Sequence, residues 1–154
     1  MAAKAKAGKS AKLARAGLKA AKVEVWAATI EDRAGGAASK LERLAEAGAS
    51  LEMLLARRTE QSGQGVIFVT PVKGAKATKA AQEAGFGRPG SIHSVRIEGR
   101  DRPGLGARIA RALGDAGINF RGLSAAVIGT NFISYLACDS AEDADRAVAV
   151  LKRL

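Results

Sequence analysis

The sequence predicts a tandem of two similar α+β units. The first observation is an internal repeat, in which residues 32–55 and residues 101–124 are identical at eight of 24 positions without a gap. The second is periodicity, because apolar residues in each copy alternate as in a strand and then recur every three or four residues as in a helix. The third is length: the 154 residues leave each unit roughly 65, too few for a robust isolated core, so we expect the units to pack together.

The first unit is predicted to follow the order strand, helix, strand, strand, helix. Its first strand ends in a turn at residues 32–36, its first helix ends at Gly48 as a glycine C-cap, and residues 60–64 form a hairpin loop. Its strands are predicted at residues 23–30, 51–59 and 65–72, and its helices at 38–48 and 73–84.

The second unit is predicted to repeat this order. Its hairpin turns at residues 129–131, and Ser140 is expected to cap the last helix, with Glu142 and Asp143 at the positive end of the helix dipole. Its strands are predicted at residues 93–98, 119–128 and 131–137, and its helices at 105–116 and 140–153.

Neither unit shows the fourth strand that would complete a split β-α-β-β-α-β arrangement. Residues 86–91 are too short and are interrupted by Pro89, and no strand pattern follows the last helix. We therefore expect each sheet to have an open edge, covered by the other unit or by another chain. Residues 23–90 and 91–154, expressed separately, are expected to be unstable or to self-associate.

The net charge of +10 is unevenly distributed. Residues 1–22 hold six Lys, Arg15 and no acidic residue, a charge of +7, whereas the remaining 132 residues carry +3. A Lys/Ala sequence with few large apolar groups is typical of a disordered segment, so we predict a basic arm at residues 1–22. One domain is then expected at 23–87 and a second at 92–154.

The composition also excludes several classes of site. A single Cys138 and a single His93 allow no intramolecular disulfide, thiolate metal cluster or His-rich metal site. We find no pattern for a catalytic nucleophile or base, and no cofactor motif. No secretory signal or membrane span is evident, which favours a cytoplasmic protein that does not enter membranes.

The turn at Asp101-Arg102-Pro103-Gly104 brings binding groups together. Gly104 permits close backbone approach, and the N–H groups at the start of the following helix attract a carboxylate or phosphate. Asp101 is placed to hold an ammonium group, so a zwitterion suits the turn. The alternative is an ordinary strand-to-helix turn in which Asp101 caps the helix, with Asn119 as a strand-edge hydrogen-bonding residue.

These residues resemble a known family. The strand, Asp-Arg-Pro-Gly-Leu, helix, Ala-Gly-Ile-Asn, hairpin and helix of residues 93–154 resemble an ACT domain, a small-molecule-sensing module, and residues 23–86 resemble a more diverged copy. The resemblance implies two ferredoxin-like domains and an amino acid, or a similar small ligand, bound at an interface between such domains.

The ligand residues implied by the resemblance lie mainly in the second copy. They are Asp101, Arg102, Gly104, Leu105 and Asn119, with Asp32, Arg33 and Gly35 of the first copy lining the pocket. The first copy departs from the family pattern at three positions, Ala34, Gly36 and Ser50. We therefore expect the second loop to contribute more to binding than the first.

The expected function is a non-enzymatic sensor in which the two domains pack side by side, or two chains form a homodimer, to enclose the ligand site. The sensor is expected to regulate a partner, such as an enzyme or a transcription factor. The alternative is a nucleic-acid-associated protein whose basic arm binds phosphates while the domains fold and oligomerise. Under either function, removing residues 2–22 is expected to leave folding unchanged and to abolish binding to polyanions.

Overall fold

The computed structural model describes residues 15–154. All ten predicted elements are present, with boundaries shifted by a few residues, and one further strand precedes them. The strands are β1 (Lys19–Val23), β2 (Trp26–Glu31), β3 (Met53–Arg58), β4 (Gln64–Thr70), β5 (His93–Arg100), β6 (Gly122–Ile128) and β7 (Asn131–Cys138). The helices are α1 (Ala38–Glu46), α2 (Ala75–Glu83), α3 (Leu105–Asp115) and α4 (Ala141–Leu151).

Strand β1 corrects the prediction of a disordered arm at residues 1–22. It lies antiparallel to β5, from Lys19 opposite Glu98 to Val23 opposite Ser94. Apolar residues alternate along this segment, as in a strand with one buried face. The side chains of Ala16, Leu18 and Ala20 are all buried in the core beneath the sheet. Only residues 1–14 of the predicted arm lie outside the described residues.

Strand β1 also supplies the fourth strand of the second unit. The sheet order is β1-β5-β7-β6, which is the ferredoxin-like order with the fourth strand taken from the N-terminal side of the chain. The backbone N–H of Ala16 donates to the carbonyl of Leu154, so the chain enters β1 beside the end of α4. The sheet edge that was expected to be open in this unit is therefore occupied by β1 of the same chain.

The first unit has a three-stranded sheet with the order β2-β4-β3. Gly87 pairs with Ala27 on β2 through N–H to carbonyl distances of 2.8 and 2.9 Å, as an isolated bridge where a fourth strand would lie. Pro89 has no N–H and prevents this pairing from extending as a regular strand. Within the described residues, the first unit thus has three strands and a short bridge.

Each unit has its own core between one sheet face and its two helices. In the second unit, α3 contributes Leu105, Ile109 and Leu113, all at most 2% exposed. The first unit relies on smaller side chains, because α2 contributes Ala77 and Ala81 against Ile67. Ser140 caps α4 as predicted, since its Oγ accepts from the N–H of Asp143 at 3.0 Å.

The units are joined by two short linkers that meet at Glu24. One carboxylate oxygen of Glu24 accepts from Trp26 Nε1 at 3.1 Å and the other from Arg88 Nη1 at 3.0 Å. The Arg88 guanidinium also lies 5.3 Å from the centre of the Trp26 ring, a cation–π distance. Thr70 Oγ1 donates to the Glu24 carbonyl at 2.7 Å. Both linkers are therefore tied to the first unit.

We predict that a circular permutant will reconstitute the second unit. Residues 91–154 followed directly by residues 15–24 should fold as a monomer, because the permutant restores β1 beside β5 in a continuous β-α-β-β-α-β order. Circular dichroism and urea unfolding should show one cooperative transition, whereas residues 91–154 alone should not fold. Deleting residues 2–14 from the full chain should leave the unfolding transition of the second unit in place. Deleting residues 2–22 should remove it, contrary to the expectation from the sequence, because this deletion takes most of β1. Equal stability of both deletions would show that β1 is dispensable.

The contribution of Cys138 to the free energy of unfolding depends on pH. Burial raises the pKa of the Cys138 thiol, and the charges of Asp143 and Asp139 raise it further. Above the ordinary thiol pKa of about 8.5, the unfolded chain loses this proton while the folded chain retains it. The contribution of Cys138 is therefore complete below that pH and falls as pH rises.

We accordingly expect the stability difference between the wild type and Cys138→Ala to shrink from about pH 7 to about pH 9.5. Urea midpoints of both proteins at each pH measure this difference. A difference that stays constant with pH would mean that the thiol ionises equally in both states.

Candidate functional site

The loops after β2 and β5 have the same backbone structure. The Asp32 N–H donates to the carbonyl of Gly63 at 3.0 Å, and the Asp101 N–H donates to the carbonyl of Thr130 at 2.8 Å, in each case on the hairpin turn of the same unit. Gly35 and Gly104 follow with φ of 81° and 80°, in the left-handed region that favours glycine. The sequence repeat is therefore a structural repeat at this loop.

Neither aspartate caps the helix that follows. The residues at the cap positions of α1 and α3 are Ala37 and Gly104, and neither helix start has a side-chain cap hydrogen bond. The geometry thus does not support the alternative in which Asp101 serves as an N-cap. Its carboxylate is exposed to solvent instead.

The charged groups of the first loop are already engaged. The Asp32 carboxylate accepts from Arg58 Nε at 3.0 Å. Arg33 donates to the carboxylate of Glu31, and this hydrogen bond, with the charge of Arg33, lowers the pKa of Glu31. Gly35 lies beside them in a shallow cavity of about 280 Å³ lined by first-unit residues.

The same groups of the second loop are unpaired. Within residues 15–154, the side chains of Asp101 and Arg102 have no hydrogen-bond or ion-pair partner, and both are exposed. The difference originates in the neighbouring hairpin, because Arg58 corresponds by the repeat spacing of 69 to Val127. The second loop therefore offers an acidic and a basic group to a ligand. The role of Arg58 was not predicted from the sequence. The signal that could have indicated it is the difference between Arg58 and Val127 at equivalent positions of the repeat.

The side chains of two further predicted ligand residues, Leu105 and Asn119, do not lie beside the exposed side chains of Asp101 and Arg102. Leu105 is 2% exposed, packs in the core of the second unit and donates its N–H to the carbonyl of Arg102 at 3.1 Å, so its side chain is a core contact. Asn119 is exposed and precedes β6.

The start of β6 lies at the far end of the sheet from Asp101. Gly122 and Ser94 both pair with Ala137, so the start of β6 is level with the start of β5. The rise of about 3.3 Å per residue places the two ends of β5 roughly 20 Å apart. One unit therefore cannot present Asp101 and Asn119 to the same small ligand, and a site containing both needs residues from two units.

The His, Cys and acidic residues in the described part of the chain do not form a metal site. Residues 15–154 contain no group of three or more His, Cys, Asp or Glu side chains placed to hold a metal ion. His93 is half-buried and Cys138 is buried. Over the same residues, no helix combines the length and apolar character needed to cross a membrane.

Residues 93–154 match the family model of the ACT domain. This range contains the whole second unit except β1, including the loop with the unpaired Asp101 and Arg102. No curated protein matches the chain.

Solved structures share the fold over most of the chain. Protein BT0572 of Bacteroides thetaiotaomicron is 19% identical over 87% of this chain and 89% of that chain, with a TM-score of 0.71. The ligand-free regulatory subunit of aspartate kinase from Thermus thermophilus is 23% identical over 84% and 94%, with a TM-score of 0.55. The same subunit from Thermus flavus is 24% identical over 88% and 96%, with a TM-score of 0.53. The predicted fold class, an α+β protein of two ferredoxin-like units, is confirmed. The two units are not strictly consecutive, because β1 of the second sheet precedes the first unit.

Gly104 at the end of the second loop and Gly106 in the first turn of α3 provide a matched test of the backbone geometry. An alanine Cβ meets no atom within 4 Å at Gly104 or Gly106, but only Gly104 has a positive φ, of 80°. We predict that Gly104→Ala lowers the free energy of unfolding by about 1–2 kcal/mol. Gly106→Ala should raise it by about 0.4–1 kcal/mol, because alanine restricts the unfolded chain without strain.

Urea unfolding of both variants measures the two effects. Similar changes in both variants would show that the left-handed conformation of Gly104 is not required for the turn.

Proposed function

We propose that the protein is a tandem ACT regulatory protein that binds an amino acid through the loop after β5. The observation that carries the proposal is the pair of unengaged, oppositely charged side chains in this loop, within the residues that match the ACT domain. Asp101 accepts hydrogen bonds from the ligand ammonium, and Arg102 donates to the ligand carboxylate. Charge-assisted hydrogen bonds of this kind are the stronger class.

Completion of the site requires a second copy of the chain. Asp101 and Asn119 lie at opposite ends of one sheet, and the first unit carries Ser50 at the position equivalent to Asn119. A homodimer that brings Asp101 of one copy to Asn119 of the other forms two equivalent sites, as two-fold symmetry requires. The regulatory subunits of aspartate kinase share this fold, which supports a regulatory role.

Ligand binding then regulates a partner by a population shift. A ligand held between two copies favours the arrangement in which both contact it, and its effect is limited by its difference in affinity for the two arrangements. Because no catalytic group lines the loop, the regulated activity belongs to a partner protein. The nucleic-acid alternative rests mainly on residues 1–14, which lie outside the described residues.

A thermal-shift screen of the full chain against the standard amino acids and nucleotides tests this function. An amino acid present at 100 times its dissociation constant is expected to add about 2.7 kcal/mol to the free energy of unfolding. Stabilisation by nucleotides or polynucleotides, with no response to any amino acid, would favour the alternative function.

We predict that the two aspartates contribute unequally to binding. Asp101→Ala should weaken binding of the amino acid found in the screen by roughly ten- to a hundredfold, because a charge-assisted hydrogen bond contributes about 1.5–3 kcal/mol. Asp32→Ala should weaken it less, because Arg58 already binds that carboxylate. Isothermal titration calorimetry measures both, with Asp101→Asn as the control that retains side-chain size. Equal losses from Asp32 and Asp101 would contradict the proposed asymmetry.

Mixing variants tests whether two copies share each site. A heterodimer of Asp101→Ala and Asn119→Ala chains contains one site with both substitutions and one intact site. Equal mixing with free exchange should therefore restore high affinity at about one site in four. Absence of any restoration, despite confirmed subunit exchange, would mean that Asp101 and Asn119 do not act at one ligand.

A further inference from the structure

A second cleft lies between the two units, and it shares Arg57 with the cavity beside the Asp32 loop. The sheet faces that are not covered by helices converge on a cleft of about 260 Å³. The first unit contributes Leu55, Arg57 and Phe68, and the second contributes Ser94, Ser124 and Tyr135. No residue of the Asp32 or Asp101 loop lines this cleft.

The cleft exposes apolar side chains on both walls. The wall of the first unit holds Phe68 and Leu55, of which Leu55 is 42% exposed, and the wall of the second unit holds Ile92 and Ala137. Covering such groups is favourable by about 25 cal/mol for each Å² of apolar surface removed from water. An occupant with an apolar body is therefore favoured over a purely polar one.

The polar groups of the cleft favour a negative charge on that occupant. Arg57 has no hydrogen-bond or ion-pair partner within residues 15–154. In the same part of the chain, the hydroxyls of Ser94 and Ser124 make no hydrogen bond. Tyr135 Oη accepts from Arg96 Nε at 3.2 Å, which leaves its own proton for donation. These groups can donate to a carboxylate.

The cleft lacks the group that a zwitterion requires. Its lining includes Arg57 and Arg121 but no Asp or Glu. Arg121 is held by Asp139 at 2.9 Å, outside the lining, so Arg57 is the guanidinium available to a ligand. An ammonium group placed here would meet cations without an acidic partner. The cleft therefore differs in ligand chemistry from the loop of Asp101.

We propose that this cleft binds a small organic carboxylate with an apolar body, anchored by Arg57. The volume corresponds to roughly nine water molecules at about 30 Å³ each, which is sufficient for an aromatic or branched aliphatic acid. Its carboxylate contacts Arg57 and the hydroxyl groups, and its apolar body contacts Leu55, Phe68 and Ile92.

Occupation of the cleft couples the two units. The ligand touches walls from both, and Tyr135 is linked through Arg96 to Glu52 of the first unit, with Arg96 Nε 3.6 Å from the Glu52 carboxylate. A ligand that contacts both walls stabilises the arrangement of the units that closes on it. This ligand is a second input, distinct from the amino acid proposed above.

Calorimetry and ¹H–¹⁵N chemical-shift mapping of the full chain with three probes test the proposal. Phenylacetate should bind at least tenfold more tightly than phenylacetamide, its neutral analogue, or L-phenylalanine, with shifts at β3 and β6 in the cleft. Arg57→Gln should weaken phenylacetate binding by about tenfold, as loss of a partly exposed charge-assisted bond. Arg111→Gln removes the same charge from the distant surface of α3 and should have no effect.

Several outcomes would overturn the proposal. They are no phenylacetate binding up to its solubility limit, equal binding of phenylacetate and phenylacetamide, wild-type affinity in Arg57→Gln, or shifts confined to the exposed end of β6 at Ile128. Asp101→Ala should leave phenylacetate binding unchanged, and Arg57→Gln should leave amino-acid binding unchanged. The two variants therefore separate failure of this site from failure of the proposed function.

Discussion

The antiparallel pairing of β1 with β5 determines the architecture of the chain. It joins residues that are 71 to 79 positions apart and completes the four-stranded sheet of the second unit. The first unit is consequently an insertion within the second, entered and left through two linkers that meet at Glu24. Since both linkers are short and both are bonded to the first unit, the position of one sheet relative to the other follows from this pairing. The cleft between the sheets depends on the same arrangement.

The local elements could be predicted because their signals are local. Periodicity identified ten of the eleven elements, and the repeat identified the two units. Strand β1 was missed because Lys19 and Lys22 gave the segment the composition of a disordered arm, although Ala16, Leu18 and Ala20 alternate as they should in a strand. The partner of β1 could not be predicted, because pairing across more than 70 residues leaves no local pattern. Lys22 contacts Asp145 of α4 at 2.6 Å, which shows how a lysine on an edge strand can be accommodated.

The position of the candidate site could be predicted from the sequence. Whether its carboxylates are paired or free could not. The repeated Asp-Arg-x-Gly identified both loops, and their backbones are the same. The availability of the two carboxylates depends on the residue that the neighbouring hairpin supplies, Arg58 in one copy and Val127 in the other. A difference at this one strand position therefore separates a loop whose aspartate is paired from a loop whose aspartate is free within residues 15–154. Burial decided the role of Leu105 in a similar way, since the loop sequence does not distinguish a core contact from a ligand contact.

The discontinuous second unit also has a consequence for synthesis on the ribosome. Strand β1 emerges first, yet its partner β5 is made at least 71 residues later, a delay of several seconds at about 5–20 residues per second. The first unit, which is continuous, can fold during that interval. An unpaired strand waiting beside it risks pairing with the open edge of the wrong sheet, and lysines on such an edge oppose that pairing. The Lys-Ala-Ala-Lys sequence of β1 thus suits a strand that has to remain soluble and unpaired until its own sheet exists.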